Sequence, residues 1–499
     1  MHQKRLMGGS FALVVLILSL HFFWLGTIEN DDYVLFSYHI TNEHNDIFQI
    51  QLSITFGGLE ADSAVKAIQT ADGGIFIAGS TGPYGTDERD MWLIKTYANG
   101  SAEWNQTYDI WGTDWASDLI QTEDGGFLLI GTSSLQYMLP VLDRGSALKL
   151  FANGTVEWCQ SYYFERTEWV TDENSLLRSA IQTAEGGFLL AGETVDYSGP
   201  NNMDMWMVKT DANGSVEWNQ IYGSKDDSGY SIIQTIDGGF LIAGKTIDYH
   251  YSVDSAVYPH DADMWLVKIY ANGSVVWDQA YGGTGCDYAF DVIQTVDDGF
   301  LLAGVTNYWS NNSDMWLVKT YANGSVEWDQ TYGGLGHDQA HSVIQTPDGG
   351  FLIVGDTESY GAGDEDIWLV KTYSNGTIKW NQTFGGSDID RAYSLIPTLD
   401  GSFIIVGMTR SYGAGNGDIW LLKISEVIDS PTDSITSTII EDVSSSMNTL
   451  STNTSKETKN KNESNPPNLI PGFESPSIIV FFLLLVIILK RRKSFSQKY

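Results

Sequence analysis

Four short segments recur in a fixed order through the middle of this chain, and their count constrains the fold more than anything else in the sequence. Segment A, of the type SVIQT, centres on Ile68, Ile120, Ile181, Ile233, Ile293, Ile344 and Ile396. Segment B, of the type GFLIAG, ends at Gly79, Gly131, Gly192, Gly244, Gly304, Gly355 and Gly407. Segment C, of the type DMWLVK, ends at Lys95, Lys149, Lys209, Lys268, Lys319, Lys371 and Lys423. Segment D, of the type SVEWDQTY, carries Trp104, Trp158, Trp218, Trp277, Trp328 and Trp380. Segments A, B and C occur seven times, but D follows a C only six times. The missing D stands at the other end: Thr55-Phe56-Gly57-Gly58 aligns with Thr331-Tyr332-Gly333-Gly334, with Leu52 in place of the Trp. An open array has no need of this offset. A closed ring does, because an N-terminal strand then completes the last sheet.

The segments read as strands. They are filled with Val, Ile, Phe, Trp, Tyr and Thr, and no helical periodicity runs through them. Asp-Gly joins A to B, as Asp72-Gly73 and Asp237-Gly238, and Asn-Gly joins C to D. Both dipeptides predict two-residue type I′ hairpins. Phe351–Val354 and Met315–Val318 are apolar on both faces, so B and C belong inside the stack. In segment D, Val326, Trp328 and Tyr332 alternate with Glu327, Asp329 and Thr331, which suits an outer strand. A is then innermost. The expectation is an all-β, seven-bladed β-propeller of four-stranded blades over residues 48–424, closed by an N-terminal strand and flanked by hydrophobic segments.

Both ends carry membrane signals. Lys4 and Arg5 precede an apolar run, so residues 1–29 read as a signal peptide or signal anchor. Residues 425–469, rich in Ser, Thr and Asn, cannot bury enough apolar surface to offset their ordering entropy and read as a disordered stalk. In residues 470–499 an apolar run ends at Lys490-Arg491-Arg492-Lys493, which the positive-inside rule keeps cytoplasmic. Both signals put the propeller outside the cell, anchored in the membrane. The tail, with Pro471-Gly472-Phe473 ahead of the apolar run and the basic cluster, resembles the archaeal PGF-CTERM sorting signal. That resemblance implies an archaeosortase as a processing partner. The 63 acidic against 27 basic residues, a formal net charge of −36, exclude nucleic acid as a partner. Cys159 and Cys286 fall in different repeats, so no disulfide is expected.

Twelve of the seventeen Trp lie on segments C and D, where repeated aromatics are expected to pack blade on blade. Asp62, Asp114, Asp227, Asp287, Asp338 and Asp390 precede the A strands; Asp90, Asp204, Asp263, Asp314, Asp366 and Asp418 open the C strands. Carboxylates at such junctions accept backbone N–H groups. No cofactor is called for; calcium is the one ion this pattern leaves open, although no Asp-x-Asp-x-Asp-Gly loop occurs.

The A–B and C–D turns share one face of the disc. The B–C and D–A loops share the other, and their lengths vary. Long insertions in repeats 2, 3 and 4 bring Tyr137, Phe164, Trp169, Tyr249, His250, Tyr251, Tyr258 and His260 to that face, with acids between them. This set suits sugar or peptide binding. No HExxH, CxxC, Gly-rich phosphate loop or ordered nucleophile set is present, and His337 and His341 fall in a loop entering an A strand. The C–D turn is analogous to a sialidase Asp-box hairpin but lacks its Ser and Asp. The repeats, with DGGF-x-x-AG-x-T and D-x-W-L-V-K-T, resemble bacterial and archaeal surface propellers, which implies the fold and an exported setting but no shared activity. The function expected is a non-catalytic binding or adhesion module for a glycan or protein. The alternatives are an extracellular polysaccharide-active enzyme, a glycosidase or lyase, and a structural envelope protein.

Six Asn-Gly-Ser/Thr triplets, at Asn99, Asn153, Asn213, Asn272, Asn323 and Asn375, sit at the C–D turns. Each is both a turn signal and a glycosylation acceptor.

Overall fold

The computed structural model describes residues 48–426, apart from 84–87, 136–141, 165–172, 197–202, 224–225, 248–260 and 311, together with two short strands, His21–Trp24 and Phe36–His39. The short strands pair antiparallel, His21 opposite His39, within the N-terminal apolar run and just beyond it. No helix among the described residues is long and apolar enough to cross a membrane. The stalk beyond Glu426 and the sorting-signal tail lie outside the described residues.

Every repeated segment is a strand. Seven four-stranded antiparallel sheets each run in the order A-B-C-D, as in blade 6 with Asp338–Gln345, Phe351–Thr357, Asp366–Thr372 and Ile378–Phe384. The A strands touch their neighbours in an unbroken circle, the last (Asp390–Pro397) returning to the first (Ser63–Gln69). A is therefore the inner strand. Blade 7 takes its fourth strand from the N-terminus: Phe48–Phe56 pairs with Asp418–Glu426, Phe56 opposite Ile419 and Phe48 opposite Glu426. The chain is a seven-bladed β-propeller, closed as the displaced D segment requires.

Burial explains the strand order. Strands B and C of blade 6 are buried at every residue, whereas its D strand is wet along most of its length. The core lies between blades. Leu301, Met315, Leu317 and Tyr332 of blade 5 pack on Val343, Phe351, Ile353 and Trp368 of blade 6, and equivalent clusters recur around the ring. Each such side chain contributes about 1.5–3 kcal/mol of transfer free energy.

The hairpins differ from the type I′ expectation. In the C–D turn of blade 1, Tyr97 N–H donates to Ser101 C=O and Gly100 N–H donates to Tyr97 C=O, each at 2.9 Å. Only the glycine has positive φ, +79°, and the strand register shifts between Lys95 and Thr96. This is a three-residue turn with a bulge, which needs one left-handed residue instead of two. The Asn is thereby free to use its side chain: Asn99 Oδ1 accepts the Ser101 N–H at 3.0 Å. The A–B turns share this form, Gly73 N–H donating to Thr70 C=O at 2.9 Å.

Three recurring residues acquire structural roles here. The D-strand Tyr staples five of the seven blades to the next, Tyr108, Tyr162, Tyr222, Tyr281 and Tyr332 donating their hydroxyls to the C–D turn carbonyls of Gly154, Gly214, Gly273, Gly324 and Gly376 at 2.5–2.8 Å. The D-strand Trp lies under the same glycine: a Cβ on Gly376 would sit 2.7 Å from Trp328. The Trp residues therefore pack between blades, as expected. The C-strand Lys is a buried hub. Lys319 reaches Asp297 of its own A–B turn at 3.0 Å and Glu327 of its D strand at 3.1 Å. Such a buried ammonium is tolerated because it is paired and hydrogen-bonded. Cys159, exposed, and Cys286, buried, are not joined in a disulfide.

Candidate binding surface

Each A strand carries a register shift at the same place, three residues before its central isoleucine (Ile396 and its counterparts). The bulged residues are Val65, Ser117, Arg178, Tyr230, Phe290, His341 and Tyr393. A bulge re-aims the side chain it inserts. On the innermost strand of a propeller that means the central channel, and all seven are only partly buried. In blades 4 to 7 the inserted groups form one continuous arc. Ring centroids are 5.7 Å apart for Tyr230 and Phe290, 5.4 Å for Phe290 and His341 (nearly parallel, at 29°), and 5.2 Å for His341 and Tyr393.

The arc runs outward onto the long-loop face. Phe290 meets Tyr288 and Tyr308, and Tyr308 meets Trp309 at 4.8 Å in the B–C loop of blade 5. Trp309 is 72% exposed and donates its indole N–H to Tyr288 Oη at 3.0 Å. Lys245 lies 5.1 Å above the Tyr288 ring. A second aromatic patch on the same face belongs to blades 1 to 3, where Arg89 covers Trp115 at 4.6 Å and Arg144 covers Tyr163 at 4.4 Å and Trp111 at 5.3 Å.

Carboxylates brace the arc from behind. His341 Nε2 lies 2.8 Å from Asp356, which is buried, and Arg178 donates to buried Glu193 at 2.6 Å. Arg391, next to Tyr393, donates to Glu365. Burial pushes the Tyr230 and Tyr393 hydroxyls upward, so both stay protonated at neutral pH. The next ring along the channel is polar: Lys66, Asp118, Ser179, Ser231, Asp291, Ser342 and Ser394. It laces the blades together, Ala67 N–H donating to Ser394 Oγ at 3.3 Å and Ala180 N–H to Asp118 at 3.0 Å.

The junction aspartates serve the backbone. Asp114 accepts Ile110 N–H at 2.7 Å, Asp338 accepts Gly334 N–H at 2.9 Å, and Asp418 accepts Ala414 N–H at 2.8 Å. They also face one another across the blade seams. Asp62 and Asp418 both flank Gly57, and burial with this neighbour raises Asp62 to about 6. Among the described residues one set of three, Asp90, Asp109 and Asp114, brings its oxygens close enough to share a cation, fewer than the six to eight oxygens calcium takes.

Of the loop residues expected to bind, Tyr137, Trp169, Tyr249, His250, Tyr251, Tyr258 and His260 lie outside the described residues. Phe164 is described. It is half-buried against the core between blades 2 and 3, and its N–H donates to Ser175 Oγ at 3.2 Å, so packing claims much of its ring. His341 lies within strand A, not in the loop before it. The channel arc escaped the sequence reading because its members differ in kind from repeat to repeat. Its signal was positional: Tyr230, Phe290, His341 and Tyr393 occupy one register position in four successive repeats.

No family model and no curated protein matches this sequence. Among solved structures the chain is similar to puromycin hydrolase (11% identity, TM-score 0.44, covering 71% of this chain and 50% of that one). It is also similar to the Pyrococcus horikoshii acylaminoacyl peptidase (10%, TM-score 0.39, 72% and 50%) and to a PL25 ulvan lyase (12%, TM-score 0.39, 72% and 88%). The chain spans half the length of the first two.

Proposed function

We propose that this chain is an exported, membrane-tethered binding module whose propeller seats a glycan at the mouth of its central channel. The observation that carries this reading is the aromatic arc of Tyr230, Phe290, His341 and Tyr393, continued to the exposed Trp309. Ring faces stack on the apolar faces of sugar rings, while the phenol hydroxyls, the imidazole and Lys245 offer polar groups around them. Binding is favoured over catalysis because the junction carboxylates Asp114, Asp338 and Asp418 accept backbone N–H groups. Export rests on Lys4 and Arg5 ahead of one apolar run and Lys490–Lys493 after the other. Phe48 and Glu426 are paired at the tight-turn edge of blade 7, so the chain enters and leaves the propeller at the edge opposite the long-loop face.

The test is a panel of oligosaccharides titrated into the exported protein, followed by tryptophan fluorescence and calorimetry. Saturable binding, weakened at least tenfold by Phe290→Ala or Tyr393→Ala with folding intact, supports the proposal. Turnover of a polysaccharide that is lost with Asp356→Asn would replace it with the enzymatic reading. Binding of a protein partner alone would move the ligand class.

A further inference from the structure

We infer that Asn99, Asn153, Asn213, Asn272, Asn323 and Asn375 carry N-linked sugar, which makes the tight-turn face of the propeller a glycan-coated face. The inference rests on the exported setting proposed above. All six asparagines are exposed at the tips of C–D turns, and the strand topology puts every C–D turn on one side of the disc.

Turn geometry accounts for only half of each side chain. In five of the six, Asn Oδ1 accepts the backbone N–H of the residue two further on at 3.0–3.1 Å and its hydroxyl at 2.7 Å. Among the described residues the amide nitrogen Nδ2 of these five meets no hydrogen-bond acceptor, and all five side chains are exposed. An Asp would serve the oxygen's role equally well, since Asp and Asn both close such turns. The A–B turns, built to the same plan, do use a carboxylate: Asp72 accepts Gly74 N–H at 3.0 Å and the Thr70 hydroxyl.

Blade 3 separates the two roles. There Asp211 takes over the turn, accepting the N–H of Asn213 at 2.9 Å and of Ser215 at 2.8 Å. The Asn213-Gly214-Ser215 triplet stands although its Asn no longer closes the turn. The turn explains Asn-Gly and, in five copies, the hydroxyl that donates to Asn Oδ1; it does not explain why Ser215 follows Asn213 in blade 3, where Asp211 closes the turn. The acceptor chemistry does. Nδ2 forms a bond to the anomeric carbon of a lipid-phosphate-linked sugar, the carbon–oxygen bond to phosphate breaks, the lipid phosphate leaves with the electron pair, and Nδ2 gives its proton to the transferring enzyme.

The experiment is glycopeptide mass spectrometry on the full chain recovered from the cells that make it, with surface biotinylation run in parallel to establish export. Sugar mass on most of the six triplets is the expected result. Ser325→Ala, which keeps the Asn323 turn acceptor for the backbone N–H, should remove it from Asn323 alone. An exported protein with none of the six modified, or only one or two, overturns the coated face and leaves export standing. Absence of biotinylation overturns both.

Discussion

Gly349 and Gly376 have the same backbone conformation, φ +80°, at the same position of two turns in the same blade. Their surroundings differ. A Cβ on Gly349 meets nothing within 4 Å, whereas one on Gly376 would lie 2.7 Å from the Trp328 ring of the preceding blade. Left-handed backbone costs an L-residue about 1–2 kcal/mol wherever it occurs. Forcing an extra carbon into packed surroundings adds about 1–3 kcal/mol. Gly349→Ala should therefore cost about 1 kcal/mol and Gly376→Ala about 3 kcal/mol, a gap of more than tenfold in the folding equilibrium. Asp298 already occupies the Gly349-equivalent position of blade 5 at φ +65°, so that site tolerates a side chain. Urea unfolding of the two variants, followed by tryptophan emission, measures the difference. Equal losses would refute the claim that the turn glycine is required by the neighbouring blade as well as by its own φ.

Phe56 ends the closing strand where five other blades place a stapling Tyr. Phe56→Tyr brings a hydroxyl toward the Gly100 carbonyl and should raise stability by about 0.5–1.5 kcal/mol, read as a higher urea midpoint. Phe384 is the natural control, since blade 7 has no C–D turn to receive a hydroxyl; Phe384→Tyr should give no gain. Stability should also depend on pH in two opposed ways. Asp62, raised to about 6, takes up a proton in the folded state first, so stability climbs as pH falls from about 6 to about 4. Asp72, Asp124 and Asp237, held at about 2 by turn hydroxyls and C-strand lysines, contribute above the ordinary carboxylate range and lose that contribution as pH falls from about 4 to about 2. Thermal melts across this range should peak near pH 4, and Asp62→Asn should flatten the climb on the neutral side.

The ring was legible because hydrophobic pattern and segment count are properties of the chain itself. The displaced Thr55-Phe56-Gly57-Gly58 alone announced how blade 7 closes. The turn type was not legible, because Asn-Gly is compatible with both a two-residue and a three-residue hairpin, and only the bulge opposite Thr96 decides between them. The Lys319 hub was likewise hidden: nothing in DMWLVK distinguishes a solvated lysine from one paired across two hairpins. The channel arc was hidden for a third reason. Alternation predicts which way a side chain points only while the register holds, and each bulge at Tyr230, Phe290, His341 and Tyr393 breaks it.

The pairing of Phe48 with Glu426 has a mechanical consequence. Both covalent leads leave the closing strand pair at the same edge, so tension applied to the two together peels the strands apart like a zipper, one rung at a time. It does not shear all their rungs at once. The remaining six sheets are each a single run of chain, and no lead enters them at such an edge. Under load the ring should therefore open at blade 7 first, into an arc of six intact blades that can close again when the pull stops.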